Sequence, residues 1–153
     1  MGVCLSCKNF DNLDIFSYDG HEFSAKVVKV YDGDTITVVF YDNGYKKFNM
    51  RMNGYDSPEM KPLKNIENRD LHIHAATSAR DYLARLILGK VVKIRLQKFE
   101  KYGRLLGEVI YHVNVNDLMV DVIKCKKYDG KKKTDYSVNE LKTIISECSK
   151  RLV

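Results

Sequence analysis

The chain has 153 residues, 44% of them hydrophobic and 30% charged, which allows one packed core and excludes a disordered chain. Lys and Arg number 26 against 20 Asp and Glu, so the net charge is +6. This balance favours a polyanionic partner, nucleic acid or an anionic membrane surface, with a merely solvated lysine-rich surface as the alternative.

No apolar run approaches the ~20 residues that a membrane-spanning helix needs. No apolar stretch follows the first methionine, so no secretory signal is expected. Cys4, Cys7, Cys125 and Cys148 are therefore expected to be reduced thiols in an intracellular, cytoplasmic setting. The start of the chain, Met1-Gly2-Val3-Cys4-Leu5-Ser6-Cys7, matches the myristoylation pattern of Gly2 with serine at position 6. Palmitate on Cys4 or Cys7 would supply the second anchor that one myristoyl chain lacks. An unmodified terminus and half of a zinc site are the competing readings. Residues 1–20 read as a targeting segment that holds the chain on the cytoplasmic face of a membrane, and residues 21–153 as the folded domain.

From Glu22 to Tyr31 Phe23, Ala25 and Val27 fall on one face, which predicts a strand. Thr35 to Tyr41 is β-branched and aromatic, a second strand. Asp42-Asn43-Gly44 is a hairpin signal. Lys46 to Asn53 alternates Phe48, Met50 and Met52 against Lys47, Asn49 and Arg51, a third strand with Arg51 on the side away from the packed interior. Asp32-Gly33-Asp34-Thr35 and Asp56-Ser57-Pro58-Glu59 bracket this hairpin, so their carboxylates can meet. Clustered carboxylate and carbonyl oxygens suit Ca²⁺ or Mg²⁺, and an arginine beside them suits a phosphate. That combination is what metal-assisted phosphodiester hydrolysis requires.

Lys61 to Arg69 reads as a loop and Asp70 to Leu88 as a helix in which Ala75, Ala79, Tyr82, Leu83, Leu86 and Ile87 recur at three- and four-residue intervals and which Gly89 ends. His72 and His74 lie two apart and cannot chelate together on a helix, so they are expected at the surface or in a cap. Val91 to Gln97 and Leu105 to Tyr111 are the fourth and fifth strands. Asn116 is expected to cap a short helix, and Ser137 with Glu140 forms a capping box for the last one. Cys148 falls on the apolar stripe of that helix. The lysine-rich stretch 124–133 carries Lys124, Lys126, Lys127, Lys131, Lys132 and Lys133 and is expected to attract anionic lipid. Together these elements predict an α+β fold, a five-stranded OB-type barrel with about three helices.

DGDT at Asp32 to Thr35, R-x-x-x-x-D-S-P-E from Arg51 to Glu59 and KYGR at Lys101 to Arg104 resemble, in order and spacing, the staphylococcal nuclease (thermonuclease) family over Phe23 to Val153. The resemblance implies an OB-fold and Ca²⁺-dependent hydrolysis of DNA and RNA; single-stranded substrates and a monomer are expected. It implies that Asp34, Asp56 and the backbone carbonyl of Ser57 bind calcium, with Asp32 behind them. Glu59 would orient or deprotonate the attacking water, and Arg51 and Arg104 would grip the scissile phosphate. Lys101, Tyr102 and Tyr128 would contact the nucleotide. Some plant nucleases similar to this one carry acylated N-termini. A non-catalytic nucleic-acid-binding OB module is the alternative function, and a membrane-recruited scaffold a weaker third.

Overall fold

The computed structural model describes residues 5–6, 8–100 and 103–151. Strands β1 (Glu22–Val30), β2 (Thr35–Tyr41) and β3 (Tyr45–Met52) form an antiparallel meander. The β2–β3 turn places Asn43 at φ 48° and Gly44 at φ 126°, left-handed backbone that asparagine and glycine accept with least strain. A short strand β4 (Tyr55–Asp56) precedes the loop and helix α1 (Arg69–Ile87). Strands β5 (Val91–Leu96), β6 (Leu105–Tyr111) and β7 (Val113–Asn114) follow, then α2 (Val115–Asp121), β8 (Lys126–Lys127) and α3 (Val138–Lys150).

The sheet order is β3-β2-β1-β5-β6-β7, and β6 also pairs in parallel with β3. That pairing joins Met50 to Leu105, Arg51 to Leu106 and Met52 to Gly107, and closes β1, β2, β3, β5 and β6 into a barrel. The expected five-stranded α+β barrel is therefore the observed one. Closure needs Gly107, because a Cβ there would stand 2.4 Å from the Arg95 carbonyl oxygen. Alternation fills the interior: Ala25, Val27, Ile36, Val38, Phe40, Met50, Met52, Ile94, Leu96, Leu105 and Val109 are each at most 2% exposed. Each large apolar side chain so buried contributes ~1.5–3 kcal/mol.

One end of the barrel is plugged by rings. Tyr18 meets Phe23, Phe40 and Phe48 edge-on at 5.6, 5.7 and 6.1 Å, and its hydroxyl donates to Asp42 Oδ2 at 2.9 Å. Tyr18 is thus part of the core, so the folded domain begins before residue 21. Helices α1 and α3 pack together, and both bury an apolar stripe in the core, Ala75, Ala79, Leu83 and Ile87 on one and Leu141, Ile144 and Cys148 on the other. Ser137 and Glu140 form the expected capping box. Cys125 and Cys148 are free and buried, and burial pushes both thiols up. Among the described residues no helix is long and apolar enough to cross a membrane.

The α2 cap differs from expectation. Asn114, two residues earlier, accepts from the backbone of Asn116 and Asp117. Asn116 has a different task. It is 4% exposed, accepts from Val109 N–H at 3.0 Å, and donates to the Asn53 and Gly107 carbonyls at 2.9 and 3.2 Å. One amide therefore ties α2 to β6 and to the turn after β3, beside the parallel closure. Local spacing could not distinguish this buried hub from a cap, because both positions are asparagine. Asn116→Ala orphans the Val109 N–H and is expected to cost ~1–3 kcal/mol, read as a lower denaturation midpoint with an unchanged m-value.

Candidate active site

The turn between β1 and β2 and the turn after β4 meet because the antiparallel register sets Thr35 opposite Arg51. Arg51 then lies between both turns. Its Nη1 donates to Asp34 Oδ1 at 3.1 Å and its Nη2 to Asp56 Oδ1 at 2.8 Å. The turns are in direct contact as well. Asp34 Oδ2 accepts from the Ser57 N–H at 3.0 Å, and the Tyr55 hydroxyl donates to the Gly33 carbonyl at 2.7 Å. A Cβ on Gly33 would stand 2.7 Å from Ser57 Cβ, so only glycine permits this approach. Asp32 Oδ1 accepts from the Asp34 N–H at 3.0 Å and supports that residue from behind.

Arg51 departs from the sequence expectation. It faces out of the barrel, as the alternation requires, yet it is only 8% exposed. The two turns cover it, and the Tyr128 ring lies 5.6 Å from its Cζ. Tyr128 is delivered there by β8, whose Lys127 and Lys126 pair with Tyr55 and Asp56 of β4. Burial works to lower the Arg51 pKa, but Asp34 and Asp56 outweigh it and hold the group above its usual value. Asp34 is 3% exposed, and burial and the Asp32 charge push it up to about 7, against the opposing pull of Arg51.

Arg104 arrives by a different route. The β3–β6 pairing sets Leu105 and Leu106 beside Met50 and Arg51, which carries Arg104 to the same cavity. Its guanidinium pairs with Glu100 at 2.6 Å. The cavity, about 350 Å³, is lined by Asp32, Asp34, Ser57, Glu59 and Glu100 and by Arg51, Arg104, Lys133 and Tyr128. Lys101 and Tyr102, the expected nucleotide contacts, lie outside the described residues, as do Gly2, Cys4 and Cys7.

Two participants were absent from the sequence reading of the site. Glu100 holds Arg104 in place. Lys133, expected among lipid-attracting charges, instead binds Asp56 Oδ1 at 2.8 Å and Glu59 Oε1 at 2.7 Å. Its ammonium bridges two carboxylates that otherwise repel, and those contacts outweigh burial to hold its pKa up. Lys126 is committed too, with Glu140 at 3.1 Å, so the basic stretch is partly neutralised from within. The lysines are scattered through a loop, and no periodicity marks which ones fold back. His72 is also corrected: it is 8% exposed and lies behind the Asp56–Ser57 turn, while His74 is exposed as expected.

The donor set suits a hard cation. Asp34 and Asp56 offer carboxylate oxygens, and the raised Asp34 pKa marks a buried negative charge that lacks full compensation. Among the described residues no three His, Cys, Asp or Glu side chains converge to chelate an ion by themselves. An ion here would depend on backbone carbonyl and water oxygens beside the two aspartates.

The burial of the triad generates a prediction. Arg51→Ala leaves two covered carboxylates without their counter-charge and is expected to cost ~3–5 kcal/mol near pH 8. Asp34, raised already, takes up a proton more readily without Arg51, so the loss shrinks toward pH 5. Denaturant melts at both values check the sign.

The staphylococcal nuclease homologue family matches the chain over residues 49–143. An uncharacterized endonuclease of Escherichia coli O157:H7 is 31% identical over 101 residues, 65% of this chain and 57% of that protein. A thermonuclease of Staphylococcus hyicus is 35% identical over 94 residues, 60% of this chain and 50% of that protein. A probable staphylococcal-like nuclease of Oryza sativa subsp. japonica is 25% identical over 103 residues, 67% of this chain and 22% of that protein. The chain thus spans about half the length of the two bacterial relatives. The barrel, its turns and the match over residues 49–143 agree: the chain belongs to the staphylococcal nuclease homologue family.

Proposed function

We propose that this chain is a Ca²⁺-dependent nuclease that hydrolyses phosphodiester bonds in DNA and RNA, preferentially in single strands. The observation that carries the reading is the cavity itself. Arg51 of β3, Arg104 just before β6, Asp32, the buried Asp34 and the exposed Glu59 line one space of about 350 Å³, with the buried Asp56 bonded to Arg51 beside it. As water attacks phosphorus, charge grows on the equatorial phosphoryl oxygens, and Arg51 and Arg104 are placed to neutralise it. Glu59, behind the rigid Pro58, accepts the proton of the attacking water once Lys133 yields its hold. Asp34, Asp56 and the Ser57 carbonyl would hold the cation, which when bound polarises the phosphoryl group and acidifies water. Tyr128 offers a ring for base stacking beside the phosphate.

Plasmid and RNA digestion, with Ca²⁺ and with excess chelator, tests the whole reading. Glu59→Ala and Arg104→Ala are expected to lower kcat by roughly 10²-fold or more while the fold survives, since both side chains are partly solvated. Binding of nucleic acid with no cleavage by the unmutated protein would leave the non-catalytic OB module in its place.

The cation reading has its own test. Below about 7 Asp34 retains a proton that an incoming ion must displace, so Ca²⁺ affinity is expected to fall by roughly fivefold from pH 7 to pH 6 and to level off above about pH 8. Lys133→Met removes a competing positive charge from Asp56 and is expected to raise that affinity. Calorimetric Ca²⁺ titration reads both, and a pH-independent affinity would refute the assignment of Asp34. Myristate on Gly2 with palmitate on Cys4 or Cys7 remains the proposed membrane tether, read by intact mass of protein from its native cells.

A further inference from the structure

The outer face of β1, β2 and β3 carries a sequence of cross-strand rows that the chemistry above does not use. Thr35 and Arg51 form the first row, at the candidate active site. Two residues further along, Lys29, Thr37 and Asn49 lie side by side. The next row is Lys26, Val39 and Lys47. The last is Tyr41 with Tyr45, beside the hairpin turn. Inward positions between them, Ile36, Val38 and Phe40, are at most 2% exposed, so the assignment of faces is firm.

Three properties of this face call for a ligand. First, it is continuous with the cavity. A groove of about 330 Å³ runs past Lys29, Tyr31, Thr37 and Asn49 and shares Asp32 and Arg104 with the candidate site. Second, its charge is uncompensated: among the described residues Lys26, Lys29 and Lys47 form no ion pair. Lys93 of β5 and Lys126, Lys131 and Lys133 of the 124–133 loop, by contrast, are paired with carboxylates. Third, its rings are open to solvent. Tyr41 and Tyr45 are 65% and 83% exposed, with ring centroids 5.6 Å apart, and Tyr31 is 53% exposed with Lys29 Nζ 5.7 Å from its ring.

We infer that this face is a single-strand track that leads a nucleic-acid chain away from the cleavage site. The inference rests on the nuclease reading and names where its substrate runs. Residues two apart on a strand lie ~6.7 Å from one another, comparable to one nucleotide step in a stretched strand, so successive rows meet successive nucleotides. Lys29 of the second row and Lys26 and Lys47 of the third contact phosphates. Tyr31 and the Tyr41–Tyr45 pair offer faces to bases without selecting among them. Asn49 accepts from Thr37 through its Oδ1 at 2.9 Å, which leaves its amide nitrogen to donate to a base edge. From Arg51 to Tyr45 the track covers six residues, ~20 Å, or about three nucleotides. A duplex cannot lay its bases on these rings, which gives a physical reason for single-strand preference. A phosphatidylserine-rich membrane is the rival occupant of a lysine- and tyrosine-bearing face. The sharing of Asp32 and Arg104 with the cavity favours the polynucleotide.

The test measures binding separately from cleavage. A fluorescein-labelled thymidine oligonucleotide of about 12 nucleotides is titrated in chelator and followed by anisotropy. Tyr41→Ala/Tyr45→Ala and Lys26→Gln/Lys29→Gln/Lys47→Gln are each expected to weaken binding by about tenfold or more. The lysine set is expected to shrink the salt slope by about 2, at roughly 0.7 per lost phosphate contact. Turnover of a dinucleotide, too short to reach the track, is expected to stay at the wild-type level, while turnover of the long oligonucleotide falls through KM. Should the tyrosine variant fail to fold, the lysine variant, altered only at exposed sites, carries the test. Wild-type binding by the folded variants overturns the track, as does a wild-type protein that binds no oligonucleotide. Loss of phosphatidylserine-vesicle binding with oligonucleotide binding intact overturns it in favour of the membrane. Inactivity toward dinucleotide and oligonucleotide alike, with binding intact, overturns the nuclease reading and leaves the track standing.

Discussion

A guanidinium held between two covered carboxylates is the constraint on which the site depends. Asp34 and Asp56 come from turns on opposite sides of a hairpin, and both bond to Arg51. Neither aspartate would tolerate this burial alone, since the cost of desolvating an unpaired carboxylate is several kcal/mol. Arg51 offsets that cost only in part, which is why Asp34 still sits far above the ordinary aspartate range. The triad is consequently a poor source of stability and a good source of position. It fixes two acidic turns against each other while leaving negative charge to be satisfied by something else.

The surrounding contacts are arranged to preserve that geometry. Gly33 admits Ser57 at a distance no side chain would allow, and Tyr55 locks the Gly33 carbonyl from the inside. Tyr136 donates to the Asp56 carbonyl and accepts from Lys126 N–H, so the second turn is held from the α3 side too. Glu100 and Lys133 play a looser part. Each occupies a charged group that the proposed chemistry needs, Arg104 and Glu59, and each is partly open to solvent. Rigid contacts thus surround the aspartates, and exchangeable ion pairs surround the groups that would meet substrate.

The barrel was legible in the sequence because its strands alternate strictly. Phe48, Met50 and Met52 against Lys47, Asn49 and Arg51 define both faces of β3 without reference to any other element. The ends of α1 and the Ser137 box were legible for the same local reason. What escaped depends on elements distant in the chain. Alternation gives the direction of Arg51 but not its cover, which comes from turns and from Tyr128. His72 is buried because the 57–68 loop and the 133–136 segment fold over it, and nothing in its own neighbourhood encodes that. Lys133 is one lysine among many until the loop after β8 returns it to Asp56. Acidic turns are short, sequence-local motifs, and were read correctly as neighbours. Partners recruited across the fold were not.

The parallel closure of β3 on β6 also sets an order of events during synthesis. Both acidic turns and Arg51 lie in the first part of the chain and can associate while the rest is still being made. Arg104 cannot join them until β6 docks beside β3, a contact between segments separated by helix α1 and strand β5. Contacts of such long sequence separation form late, because the loop they close must be ordered first. The two arginines are therefore brought to one cavity only in the completed barrel. A ribosome is built of the polymer that this chain is proposed to cut, and an unfinished chain emerging from it would carry half of the phosphate clamp.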